Sequence, residues 1–239
     1  MNVAQQLSRL RTEGEALLRS AKEGPLDARV PSCPEWDVEA LVRHIGDVHR
    51  WAATIVRDRV RERLRRDFQG PHDRAGLLDW YRDGHAQLIE ALERASPEED
   101  FWFWGPAPNA VTFWARRQAN ETAIHRRDAE LARGRITPLS TRDALDALDE
   151  WFGLIPRRVK ASDAAGRCLR VRAIDGMGDW VITLDAVIEV AEGGGDADCT
   201  LEGAASDLYL WSMNRQGSEQ LKISGDATLL QLWHDNVRF

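Results

Sequence analysis

The chain has 239 residues, 43% hydrophobic and 30% charged, enough to bury a sizeable core as one large domain or two small ones. Its formal net charge is -7 and no long basic block is present, which disfavours a nucleic-acid partner; the arginines between Arg57 and Arg66 have acidic neighbours and read as a solvated helix face. No apolar run approaches the ~18 residues of a membrane helix, Met1 to Leu10 lack the apolar stretch of a signal peptide, and three widely spaced cysteines (Cys33, Cys168 and Cys199) argue for a reducing cytoplasm and against a disulfide framework.

The first predicted helix covers residues 2–21, with Val3, Leu7, Leu10, Leu17 and Leu18 at helical spacing. Gly24-Pro25 and Val30-Pro31-Ser32-Cys33-Pro34 interrupt it. A second helix starts at Asp37, a good N-cap residue, and is expected to run to about Arg65. A third fits residues 74–95 and a fourth 109–133, the latter capped by Asn109 and ended by Gly134. Four such helices predict a four-helix bundle.

The pattern changes between Leu131 and Pro138, which places the domains at 1–137 and 138–239. A helix over 141–159 is followed by strand signals. Residues 168–174 alternate, residues 180–184 form a second run, and Val187 to Val190 read as its extension. The glycines from Gly193 to Gly195 mark a turn. A third strand over 197–202, a helix over 205–214, a strand over 221–224 and a last helix capped by Asp226 complete a small α+β domain with an antiparallel sheet.

Two helices carry ionisable residues where their apolar periodicity calls for core. Leu41, His44, Val48, Trp51 and Ile55 form a stripe on the second helix, with His44 its one ionisable member. On the fourth, Trp114, Gln118, Glu121, His125 and Asp128 form a similar row. Glu121 and His125 are one turn apart and can reach a common point. Two imidazoles and a carboxylate make a three-ligand divalent metal site, suited to zinc ahead of nickel, iron or manganese. Three ligands rather than four leave a position for water or substrate. The bland alternative is a packed histidine and a solvated Glu/His pair. Asp128 either orients a ligand imidazole or pairs with an arginine. His49 falls off the stripe and reads as near the surface, or else as a group that supports a ligand from behind; His72, His85 and His234 read as surface or cap residues. Trp102 and Trp104, in Phe101-Trp102-Phe103-Trp104-Gly105-Pro106, are either a loop packed on the bundle end or a pocket wall.

Val30-Pro31-Ser32-Cys33-Pro34-Glu35-Trp36, continuing through Leu41-Val42-Arg43-His44-Ile45-Gly46, resembles the signature of the mycothiol-dependent maleylpyruvate isomerase family. Glu121-Thr122-Ala123-Ile124-His125-Arg126-Arg127-Asp128-Ala129 resembles that family's second motif, and Ala197 to Phe239 its C-terminal domain. The resemblance implies a DinB-like four-helix bundle holding a divalent metal, zinc in the isomerase, on His44, Glu121 and His125. It also implies a C-terminal domain of sterol-carrier-like shape. Arg126 and Arg127 depart from the uncharged residues of the isomerase proper.

The implied activity is metal-dependent use of a low-molecular-weight thiol, mycothiol, in cis-trans isomerisation or S-transfer. The implied substrate is a small electrophilic or unsaturated acid, and the implied protein a cytoplasmic monomer or homodimer. The competing expectation is a non-catalytic, metal-stabilised small-molecule-binding or regulatory module.

Overall fold

The computed structural model describes residues 1–157 and 164–237, in two compact units, Met1–Thr137 and Pro138–Phe239. Among the described residues, the first unit holds helices α1 (Val3–Lys22), α2 (Val38–Arg57), α3 (Arg74–Arg94) and α4 (Ala110–Leu131). Each begins at an Asn or Asp whose side chain accepts a backbone N–H of the first turn. Asn2 takes that of Gln5, Asp37 that of Ala40, Asp73 that of Gly76 and Asn109 that of Thr112. These caps satisfy donors that the helix leaves without an intrahelical acceptor, each contributing about 1 kcal/mol.

The second helix is shorter than its sequence suggests. It stops at Arg57, because Arg59 takes a left-handed conformation at φ 53° and the chain leaves the helix axis. Gly134, at φ 67°, ends the run after α4, where glycine carries no Cβ penalty.

The bundle forms by packing α1 along α4 and α2 along α3, with α1–α3 and α2–α4 contacts closing it. Its core includes Leu17, Val38, Leu41, Val42, Ile45, Val48, Leu77 and Tyr81. Full burial of side chains of this size contributes about 1.5–3 kcal/mol each. Trp51, Trp102, Trp104, Phe113 and Trp114 gather in edge-to-face and tilted pairs, with Trp114 fully buried among them. The Trp114 indole donates to the Trp102 carbonyl at 2.8 Å, which ties the aromatic loop to α4.

In the second unit, α5 (Thr141–Leu154) continues as a 3-10 turn, Ile155–Arg157; residues 158 and 159 of the predicted helix lie outside the described residues. The sheet is built from β1 (Arg167–Ala173), β2 (Asp179–Leu184), β3 (Glu189–Glu192), β4 (Cys199–Gly203) and β5 (Lys222–Gly225), in the order β3-β2-β1-β4-β5. Helices α6 (Ala205–Ser212) and α7 (Thr228–Asn236) complete the unit.

One expectation changes here, and the antiparallel sheet carries one exception. Residues 187–190 do not lengthen β2: the chain turns back, and Glu189 pairs with Thr183 in an antiparallel neighbour. The sheet is antiparallel except at β1–β4, where Leu169 faces Cys199 and Ala173 faces Gly203 in parallel register. Between β3 and β4 the chain crosses the polar face of the sheet through Gly193-Gly194-Gly195. A Cβ on Gly194 would lie 2.7 Å from the Arg170 guanidinium, so the crossing passes close over that side chain.

Leu169, Val171, Ile182, Leu184 and Leu201 alternate onto the apolar face, as a period of two requires. Trp151 and Trp233 both donate to the Ser212 carbonyl.

Candidate metal centre

Val30 to Trp36 forms a tight loop before α2. Val30 N–H donates to the Trp36 carbonyl at 3.0 Å, and Trp36 N–H to the Cys33 carbonyl at 2.8 Å. Pro31 and Pro34 restrict the same turn. The loop carries Ser32 and Trp36 to one end of the α2–α4 pair. There the Trp36 ring lies 4.8 Å from the His44 ring and 5.9 Å from that of His125, nearly parallel to the latter.

His44, Glu121 and His125 come together at this point. Glu121 Oε1 lies 3.7 Å from His44 Nε2 and 3.6 Å from His125 Nε2. One ligand atom from each residue lies within 4.8 Å of the others. Two ligands bound to one zinc at 2.0–2.1 Å and tetrahedral angles stand roughly 3.3 Å apart; the two Glu121 contacts are near that spacing, and the widest separation in the set, up to 4.8 Å, would have to close for all three to share an ion. The donor set of two imidazole nitrogens and one carboxylate oxygen fits a borderline divalent cation.

The surroundings orient the donors. Asp128 is fully buried one turn beyond His125, and its Oδ2 accepts from His125 Nδ1 at 3.0 Å. Its Oδ1 accepts the Ser32 hydroxyl at 2.6 Å. With Nδ1 engaged, Nε2 is the nitrogen presented to Glu121. On the other side, Arg117 Nη2 lies 2.5 Å from Glu121 Oε2.

Burial disfavours the charged form of Glu121, but the Arg117 charge and the two nearby imidazoles outweigh it and hold the carboxyl well below its usual range. Burial likewise opposes protonation of His125, yet Asp128 and Glu121 push its pKa up to about 9. Burial lowers that of His44, opposed by the nearby Glu121 carboxylate.

Other sequence expectations fare differently. His49 is not near the surface: it is fully buried, with Nε2 2.9 Å from the Thr122 hydroxyl. His85 is also buried, its Nε2 donating to the Leu10 carbonyl at 3.0 Å. The two rings lie 5.3 Å apart beside Tyr81, where they help to fill the bundle core. His72 and His234 are exposed. Trp102 and Trp104 belong to the aromatic cluster around Trp114. Sequence reasoning passed over Arg117, although it stands four residues before Glu121 on the same helix, and gave no role to Ser32 and Trp36 within their motif.

A bundle of four capped helices with two histidines and a glutamate converging between α2 and α4 defines the class. The family described as the mycothiol maleylpyruvate isomerase N-terminal domain matches residues 7–130, and this chain belongs to that family. A crystal structure of the mycothiol-dependent maleylpyruvate isomerase is similar at 14% identity and a TM-score of 0.62, covering 100% of this chain and 98% of that one. A mutant of that enzyme superposes with the same TM-score and coverage at 13% identity. At these identities the likeness is one of fold. No curated protein matches the chain by sequence.

Proposed function

We propose that this protein is a divalent-metal-dependent enzyme that uses mycothiol as co-substrate for cis-trans isomerisation of, or S-transfer to, a small electrophilic or unsaturated acid. Zinc is the proposed ion and His44, Glu121 and His125 the proposed ligands. The observation that carries this reading is the convergence of two Nε2 atoms on Glu121 Oε1, in a chain of this family. Three free cysteines accord with a reducing cytoplasm as its site of action.

An ion bound there supplies Lewis acidity that lowers the pKa of a thiol, so that thiolate, the reactive nucleophile, is present near neutral pH. The protein's own side chains prepare the place. Asp128 fixes the His125 ring with Nε2 forward, and Ser32 in turn holds Asp128. The Trp36 indole packs against both imidazole rings and restricts their rotation. The chemistry then needs no nucleophile from the protein. In isomerisation, the thiolate adds to one carbon of a cis double bond conjugated with a carbonyl, and the electron pair moves onto the carbonyl oxygen. Rotation about the resulting single bond and expulsion of the thiolate give the trans product. In S-transfer the carbon–sulfur bond is kept and the enolate takes up a proton at the neighbouring carbon, restoring the carbonyl.

The test is metal content of the purified protein and of Glu121→Ala, followed by turnover with and without mycothiol. About one ion per chain, lost in Glu121→Ala, with thiol-dependent turnover abolished by His44→Ala, supports the reading. Full metal content in Glu121→Ala overturns the ligand assignment. Turnover that is indifferent to thiol overturns the chemistry.

A further inference from the structure

The Glu121 carboxylate is divided between two sets of neighbours. Oε1 faces the two imidazoles at 3.6 and 3.7 Å, while Oε2 is held by the Arg117 guanidinium at 2.5 Å. Arg117 sits one helical turn before Glu121 and is buried, so its donor is fixed by the helix and little screened by solvent. A guanidinium stays charged in such surroundings, and its bond to a carboxylate is of the strong, charge-assisted kind.

We propose that Arg117 is a positioning residue that keeps Glu121 a one-oxygen metal ligand and thereby holds a coordination position open for a thiol. This rests on the metal reading above. A carboxylate with both oxygens available readily chelates a cation through both. That second bond would occupy the position on which an incoming ligand depends. Arg117 occupies Oε2 and prevents the carboxylate from swinging.

The charge balance points the same way. A dication, the Glu121 and Asp128 carboxylates and the Arg117 guanidinium leave the centre at net +1, which favours an anionic fourth ligand such as thiolate over a neutral one. Asp128 acts on the other ligand of α4 in a parallel manner, gripping His125 from the side remote from Glu121. A purely structural Arg117 would neutralise a buried glutamate and nothing more, with no effect on coordination geometry once the site is loaded.

Cobalt(II) separates these roles, because its visible bands are intense in four-coordinate sites and weak in five-coordinate ones. The metal-stripped protein, Arg117→Met and Arg117→Lys are each titrated with cobalt(II), then with 2-mercaptoethanol as probe thiol. The wild type is expected to bind one cobalt per chain with intense bands, and to develop a sulfur-to-cobalt charge-transfer band on adding thiol. Arg117→Met is expected to bind cobalt fully but with bands several-fold weaker, and to need at least several-fold more thiol. Arg117→Lys, which retains a cation for Oε2, should restore most of both signals.

Wild-type spectra in fully loaded Arg117→Met overturn the positioning role while leaving the metal site intact. A wild type that binds no cobalt overturns the metal reading and this inference with it. Should Arg117→Met fail to fold, Arg117→Gln is neutral, shorter and polar, and carries the same expectation of weakened bands.

Discussion

Asp128 Oδ2 stands 3.0 Å from His125 Nδ1 at a fully buried position, while Asp128 Oδ1 takes the Ser32 hydroxyl at 2.6 Å. A carboxylate one turn beyond a histidine thus joins α4 to the loop that precedes α2. Asp128→Asn keeps the shape but weakens the hold on Nδ1. It is expected to lower metal affinity about 10–100-fold with far-UV circular dichroism unchanged. Competition against a chromophoric chelator measures this, and unaltered affinity would show that the contact does not tune the site.

Removal of a proposed ligand should leave the bundle standing. The helices of the first unit have their own caps, and their apolar core extends along α1, α2 and α3 well beyond the residues that touch the site. His125→Ala is therefore expected to lose the metal while remaining largely helical. Metal retained at full stoichiometry in that variant would defeat the assignment of His125.

Acid should destabilise the bundle through the histidines of its core. Burial, then the neighbouring His85 charge, lowers the pKa of His49 well below 6.5, and burial lowers that of His85. The unfolded chain therefore takes up protons that the folded one refuses. Their contribution is complete above about pH 6.5 and is lost as pH falls below it, at most about 1.4 kcal/mol per pH unit for each imidazole. Urea midpoints at several pH values test this. His85→Gln should flatten the slope, and an unchanged slope in that variant would remove His85 from the account.

Trp114 lies at the centre of the aromatic cluster with no exposed surface. Trp114→Ala should cost about 3–5 kcal/mol, through lost burial and the cavity left behind. Trp114→Phe should cost less, since the ring contacts persist and only the bond to the Trp102 carbonyl goes. Equal losses in thermal unfolding would show that the hydrogen bond, rather than packing, dominates.

Gly225 holds the second unit's last strand at φ 90°, and a Cβ there would lie 2.1 Å from the Asp198 carbonyl oxygen. Gly225→Ala is expected to cost about 1–3 kcal/mol through backbone strain, with the clash adding to it. Denaturant unfolding followed by tryptophan fluorescence reads the effect, and a stability equal to wild type would contradict the geometry.

The helices of the bundle were legible because each combines an N-cap residue with a strong apolar repeat. His44, Glu121 and His125 stood out because ionisable side chains interrupt that repeat. The true end of α2 was hidden: Arg59 carries no glycine or proline signal, so its left-handed turn is imposed by tertiary packing. His49 was misread for a related reason. A stripe identifies one face of a helix, whereas α2 contacts both α3 and α4 and buries His49 against Thr122 of the latter. The parallel β1–β4 pair was equally invisible, because strand patterns report burial rather than partner or direction.

That pairing has a consequence for how the second unit folds. β1 is flanked by a sequence-local partner, β2, and by β4, whose register with it is reached only after β2 and β3 have been laid down. The hairpins β1–β2 and β2–β3 close short loops and can form early, whereas the β1–β4 contact must first meet the entropic cost of a longer closure. Substitutions in β4 should therefore act mainly on late steps of folding, and the exposed edge of β1 should be the surface of the nascent unit most open to mispairing until the glycine crossing is complete.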